Sequence, residues 1–193
     1  MVKNAVGRMV PTEINGIPQS PFMGVGKYKP DGLKAAPPIR SCSDYPMDGN
    51  KVVQSLKDAL QKAGIKDGIT ISSHHHFRNG DLVMNQVFDA SHKLGVKGLR
   101  WFPSATFPCH APIIDHMKNG TVDLVEGSLN GDIGRFASYG EMRQTGVLRS
   151  HGGRWQAVQD GEVHIDIAII AAPTADTFGN ATGDRGPSAC GSL

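Results

Sequence analysis

The 193-residue sequence predicts an α/β domain built on an open, mostly parallel sheet flanked by helices. Three observations carry that expectation. From about Asn50 onward, stretches with apolar residues at helical spacing alternate with short β-rich stretches. Glycine or Asn-Gly closes most of the helical stretches. A late run, His164 to Ala171 (HIDIAIIA), is suited to burial on both faces of a sheet and reads as the strongest strand of the chain. Regular alternation of strand and helix implies parallel neighbours joined by right-handed crossovers.

The elements follow in order. Residues 1–49 hold seven of the twelve prolines and many glycines without a sustained period, and read as an extended leader. Its apolar groups Pro21-Phe22-Met23 and Ala35-Ala36-Pro37-Pro38-Ile39 lean toward docking on a surface. The ordered α/β domain spans residues 50–193. Asp48 or Asn50 can cap a first helix carrying Val53, Leu56, Leu60 and Ala63, with Gly64 as its stop. Asp67-Gly68 then turns into the strand Ile69-Thr70-Ile71-Ser72-Ser73. Asp81 can cap a second helix with Met84, Val87, Phe88 and Leu94 on one side, ending before Gly95. The cycle repeats with strand over 97–102, helix over 111–118, strand over 122–125 and helix over 133–139.

Composition narrows the functional classes. Hydrophobic residues at 39%, charged residues at 20% and a formal charge of +2 describe an ordinary globular chain. There is no Lys/Arg stripe to generate the concentrated field of a nucleic-acid site. Cys42, Cys109 and Cys190 are odd in number, widely spaced and without a CxxC, which fits a reducing compartment. No apolar run reaches membrane-spanning length, and the start MVKNAVGRMVP lacks the apolar stretch of a secretory signal, so a cytoplasmic protein with no membrane partner is expected.

In an open parallel sheet, ligands gather beyond the carboxyl ends of the strands, so polar sequence directly after a strand is where chemistry is sought. The first such place is Ser72-Ser73-His74-His75-His76-Phe77-Arg78-Asn79-Gly80-Asp81. Adjacent histidines on an extended chain point alternately, and no Cys or carboxylate at ligand spacing completes a shell, so no metal is expected. Binding of an anion fits better: His and Arg supply donors, and the amides opening the following helix add a positive dipole. A plain alternative is that these residues only pack and cap the turn.

The second place is Ser150-His151-Gly152-Gly153-Arg154, where paired glycines let backbone approach a ligand between two donor side chains, or simply form a turn. The third is the small, polar stretch 172–186, which can line a site mouth or be only a turn. Its Asp176 and Asp184 make no convincing acid/base pair. GxGxxG after the first strand, GxxxxGK[ST] and GxSxG are all missing. Cys109-His110 are sequence neighbours, a poor geometry for a thiolate–imidazole pair, so a packing or capping role is expected for Cys109.

The string from Asp67 to Asp81 resembles the corresponding turn of citrate lyase alpha subunits, which carry a near-identical His-His-x-Phe-Arg-x-Gly-Asp segment. Cys109-His110-Ala111-Pro112, Ser150-His151-Gly152-Gly153-Arg154, and Asp176-Thr177-Phe178-Gly179-Asn180-Ala181 with Gly183 are similar too, in the same order. The resemblance implies a CoA-transferase-like fold of two related α/β halves, of which this chain would be one. It implies exchange of acetate for citrate on an acyl-carrier-protein thioester by direct carboxylate attack through a mixed anhydride, without a covalent enzyme thioester.

On that view His75, Arg78 and Asn79 would be catalytic, and His74, Gly80, His151, Gly152, Gly153 and Asn180 would bind substrate. No cofactor would be bound directly; the substrate thioester belongs to the CoA-like prosthetic group of the carrier protein. Partners would be citrate, the acetyl- or citryl-carrier (gamma) subunit, the beta subunit of the lyase complex, and further copies of the chain. The family's alpha subunits are far longer. The domain is therefore expected to be truncated at Pro187 to Leu193 and inactive in isolation. A citramalate lyase alpha subunit, or a non-catalytic assembly module, are the competing expectations.

Overall fold

The computed structural model describes residues 1–21, 50–74 and 78–183. Within the expected leader, β1 (Val2–Lys3) pairs antiparallel with β2 (Met9–Val10), and β3 (Glu13–Ile14) with β4 (Ile17–Pro18). The second hairpin closes on Asn15-Gly16, with φ of 52° and 76°, the pair of left-handed residues that a tight two-residue hairpin demands. Asn15 Nδ2 donates to the Met142 carbonyl at 3.0 Å, which docks this hairpin on the body of the domain. Residues 22–49, with Asp48 and most of the expected docking groups, lie outside the described residues.

The first helix, α1 (Leu56–Lys62), starts later than the sequence suggested. Ser55 Oγ accepts from Asp58 N at 3.1 Å and so caps it, whereas Asn50 Oδ1 only closes a local turn onto Val52 N. β5 (Thr70–Ser73) follows and is buried throughout. In α2 (Val83–Lys93) the cap position falls to Leu82, without a side-chain cap bond, rather than to Asp81, which one residue earlier accepts from Val83 N through Oδ1 at 2.9 Å. After α2 come β6 (Leu99–Pro103), α3 (Ile113–Lys118), β7 (Val122–Gly127), α4 (Gly131–Ser138), β8 (Val147–Leu148), α5 (His151–Gln159), β9 (Ile167–Ile169) and a small hairpin, β10 (Thr174–Ala175) with β11 (Ala181–Thr182). No helix among the described residues is long and apolar enough to cross a membrane.

Five strands form one parallel sheet in the order β8-β7-β6-β5-β9, confirming the α/β class. The chain steps outward from β5 through β6 and β7 to β8, then returns to place β9 on the other side of β5. The order reverses between β5 and β9. Such a reversal leaves a crevice beyond the strands' carboxyl ends, because the connections leaving the two neighbouring strands diverge.

Strand alternation divides the side chains between two faces. Ile71, Leu99, Trp101 and Val125 enter the main core with Leu60 of α1, Val87 and Phe88 of α2, Ile113 of α3 and Ile133 of α4. Phe88 meets Trp101 edge-on at 5.5 Å, an aromatic geometry worth about 0.5–1.5 kcal/mol beyond burial. Phe102 points the other way into a smaller cluster with Ala157 of α5 and Val163. Near it, fully buried Glu126 on β7 accepts from Arg100 of β6 and from Arg149, which itself reaches Glu162.

Two expectations need correction. The run 164–171 is not a doubly buried central strand: only Ile167–Ile169 pair, at the sheet edge, with Ala168 exposed and Ile170 70% exposed. Asp166 is tied to Thr70 of β5 by a backbone and a side-chain hydrogen bond, but β5 covers only one flank of the run. The glycine pair Gly152-Gly153 is no loop or turn but the first turn of α5, capped by Ser150 Oγ accepting from Gly153 N.

Candidate functional site

At the carboxyl end of β5 stand four of the predicted residues, His74, Arg78, Asn79 and Gly80. Ser73 ends the strand, and its Oγ accepts from the buried Trp101 Nε1 at 2.9 Å. His74 follows, half-buried. Residues 75–77 lie outside the described residues, and with them the expected catalytic His75. The chain re-enters as a 3-10 turn, Arg78–Gly80, whose side chains are exposed. Arg78 adopts φ of 50°, a left-handed backbone that costs a non-glycine residue about 1–2 kcal/mol. A strained, exposed cation at a strand's carboxyl end is the kind of outlier from which a functional role is inferred.

A cleft of about 250 Å³ opens at this point, lined by Ser73, His74, Asp81 and Met84 on one side and by Ile169 and Ala172 on the other. It sits between the ends of β5 and β9, at the reversal of strand order. Its wall holds one carboxylate, buried Asp81. One oxygen accepts from Val83 N at the start of α2, and the other lies 3.4 Å from His110 Nε2. His110 is 1% exposed and stands edge-on to Trp101 at 5.3 Å. Its Nδ1 accepts from Phe107 N at 3.0 Å, which leaves the neutral ring's proton on Nε2, facing Asp81.

The 150–154 segment reaches the same strand ends from the other face through Arg154. Its Nη2 donates to Ser72 Oγ and the Phe102 carbonyl, both at 2.7 Å, and approaches the Ser73 carbonyl at 3.4 Å; the guanidinium stacks on the Phe102 ring at 4.5 Å. Burial pulls the Arg154 pKa down to about 10. Its partners here are neutral, so it remains a net positive charge beside the strand ends. His151 is exposed in the first turn of α5. Around Gly152 nothing would meet an added Cβ within 4 Å, so the glycine leaves open space there.

Two predicted residues have other duties. Asn79 Oδ1 accepts from Cys109 N at 3.0 Å, so this side chain ties down the turn. Asn180 belongs to the β10–β11 hairpin, where its N and Nδ2 each donate to Asp176 at 2.9 Å. Those bonds, the Asn180 side chain first, hold the exposed Asp176 carboxyl below its usual range. Burial pushes the Cys109 thiol up, which disfavours a nucleophilic thiolate, and its Sγ donates toward the Asp81 carbonyl at 3.4 Å. Among the described residues there is no group of three or more His, Cys, Asp or Glu side chains able to hold a metal ion.

Sequence reasoning included Asp81 as the end of the histidine-rich stretch but did not pair it with His110. Their juxtaposition spans 29 positions and rests on packing against Trp101, for which the local pattern has no signal.

Residues 49–193 match the family described as citrate lyase, alpha subunit (CitF). The chain is 40% identical over 172 residues to the citrate lyase alpha chain of Haemophilus influenzae, covering 88% of this chain and 34% of that one. It is 41% identical over 144 residues to the Escherichia coli citrate lyase alpha chain, covering 74% and 28%. A solved structure described as an alpha subunit of citrate lyase from Streptococcus mutans, in complex with citrate, superposes with a TM-score of 0.76 at 41% identity, covering 83% of this chain and 31% of that one. The chain thus spans about a third of the length of the curated relatives it matches. With three quarters of its residues inside the family match and its sheet superposed on a solved member, the chain belongs to the citrate lyase alpha-subunit family.

Proposed function

We propose that this chain is the citrate-orienting part of a citrate/acyl-carrier-protein transferase. The observation that carries the proposal is the cleft at the β5/β9 reversal, which joins His74 to the α2 amino terminus in a family with a citrate-bound solved member. Citrate brings three carboxylates, and the donors assigned to them in this proposal are His74, Arg78 and the Gly80 amide, with His75 next to them in sequence and His151 and Gly152 of α5 as further contributors.

In the proposed reaction a citrate carboxylate oxygen attacks the acetyl thioester carbonyl of the carrier protein. The carbon–sulfur bond breaks, and acetyl-citryl anhydride and a thiolate form. The thiolate then attacks the citryl carbonyl and expels acetate, so that one thioester is consumed and one is made. No side-chain nucleophile is needed. Catalysis consists of holding the attacking carboxylate in line and donating hydrogen bonds to the oxyanion. The carrier subunit, the beta subunit that would cleave citryl-carrier protein, and a cytoplasmic location belong to this proposal.

The test is acetyl-to-citryl exchange measured with this chain and the remaining two thirds of a family alpha chain supplied together. Exchange that depends on both parts and on citrate supports the proposal. Tight association of the parts without exchange refutes it in favour of an assembly module. Exchange preferring citramalate, which lacks one carboxylate, refutes the citrate assignment.

A further inference from the structure

Ser73 and the Arg78–Gly80 turn are each held by residues that do not face the cleft as donors. Upstream, Ser73 is fixed by Trp101 Nε1 on its hydroxyl and by Ser104 N on its carbonyl at 3.1 Å. Downstream, the grip comes from the 3-10 turn Pro108–His110. Cys109 N donates to Asn79 Oδ1 at 3.0 Å, and the Cys109 carbonyl accepts from Asn85 Nδ2 of α2 at 2.9 Å. Both polar groups of one peptide residue are thus spent on amide side chains from the segment that carries the turn. The thiol adds a weak donor toward the Asp81 and Arg78 carbonyls, at 3.4 and 3.6 Å.

The gripping turn is itself stiff. Pro108 lies within it, and Gly131 packs so closely that a Cβ there would come 3.2 Å from the Pro108 nitrogen. Between these anchors the backbone passes through the left-handed conformation at Arg78, which unconstrained chain avoids.

We propose that Asn79, Asn85 and Cys109 form a latch that fixes the Arg78–Gly80 backbone, making them positioning residues of the anion site. The latch rests on the citrate-site proposal for its ligand; its mechanical part stands on the geometry alone. Asn79 serves the turn through its carbonyl oxygen, and Asn85 serves it one step further away. The Asn85 Oδ1 is buried without a partner, so replacing this residue by leucine removes an unsatisfied acceptor along with the bond to Cys109, and the fold is retained.

The experiment compares Asn85→Leu, Cys109→Ala and Cys109→Ser with the unmodified chain. It reads amide hydrogen exchange at Asp81, which donates to the Arg78 carbonyl within the turn, and at Val125 in the core, together with citrate affinity by calorimetry. Asn85→Leu is expected to speed Asp81 exchange about tenfold with Val125 unchanged, and to weaken citrate by about 10- to 100-fold, as lost support of a binding group does. Cys109→Ala, which keeps both backbone bonds and removes only the weak thiol contacts, is expected to change both much less, and Cys109→Ser to behave as the unmodified chain. Unchanged Asp81 exchange in Asn85→Leu, or exchange speeded equally at Val125, overturns the latch. Faster Asp81 exchange with unaltered citrate affinity overturns the positioning role. If the unmodified chain binds no citrate, the site proposal fails while the exchange data still decide the latch.

Discussion

Replacing Arg78 by glycine separates the stability of the histidine turn from its chemistry. Arg78 holds φ of 50° with an exposed side chain. Relief of the left-handed penalty returns about 1–2 kcal/mol, and the greater freedom of glycine in the unfolded chain takes back about 0.5–1 kcal/mol. The net gain is about 0.5–1 kcal/mol, a rise of roughly 1–4 °C in melting temperature for a domain of this size. Arg78→Ala keeps the same backbone penalty and should melt within about 1 °C of the unmodified chain. For citrate the order differs: both variants are expected to lose the proposed charge-assisted hydrogen bond from Arg78, about 1.5–3 kcal/mol or roughly 10- to 150-fold in affinity. Calorimetric melting and citrate titration of the two variants give the comparison. A glycine variant that melts lower than the alanine variant, or that binds citrate as well as the unmodified chain, refutes the reasoning.

Three further outcomes follow from the same structure. Glu126→Gln leaves Arg100 and Arg149 around a buried neutral amide and should cost about 3 kcal/mol or more in urea unfolding; a loss below about 1 kcal/mol would show the pair to be dispensable. Gly127→Ala places a Cβ 2.1 Å from the Pro103 carbonyl oxygen, a contact that only a shift of β6 against β7 can relieve, and should destabilise by at least about 2 kcal/mol; wild-type stability would contradict that packing. Asp176 has a depressed pKa, so its contribution to the β10–β11 hairpin is complete above the usual carboxylate range and is lost as pH falls through the lower folded value. The Phe178 and Asn180 amides should therefore stay protected at pH 5 and lose protection only in stronger acid, and Asp176→Ala should remove the protection at every pH.

Much of the sheet was legible because its signals are local. The dipeptide Asp67-Gly68 before β-branched residues marked β5, and the spacing of Met84, Val87 and Phe88 marked α2 and its buried face. Asp81 was readable as marking the start of α2 for the same reason, although Leu82 holds the cap position itself. The edge position of β9 was not readable: HIDIAIIA carries the composition of a central strand, and only the order of strands decides that one flank is uncovered. The Ser150 cap was hidden by Gly152-Gly153, whose poor helix propensity suggests a loop until Arg154 anchors α5 to Ser72 and Phe102. The histidine turn stood out by composition. The grip of Cys109 on Asn79, 30 residues away, depends on two turns meeting in space and has no local trace.

The central claim is that citrate sits at the carboxyl end of β5, where the strand order reverses. Amide hydrogen exchange of this chain with and without saturating citrate tests it most directly. Protection is expected at Gly80 and Asp81 and at Ile169 to Ala172 on the facing wall, with α3 and α4 unaffected. No change at those amides, or protection confined to α3 and α4, would contradict it.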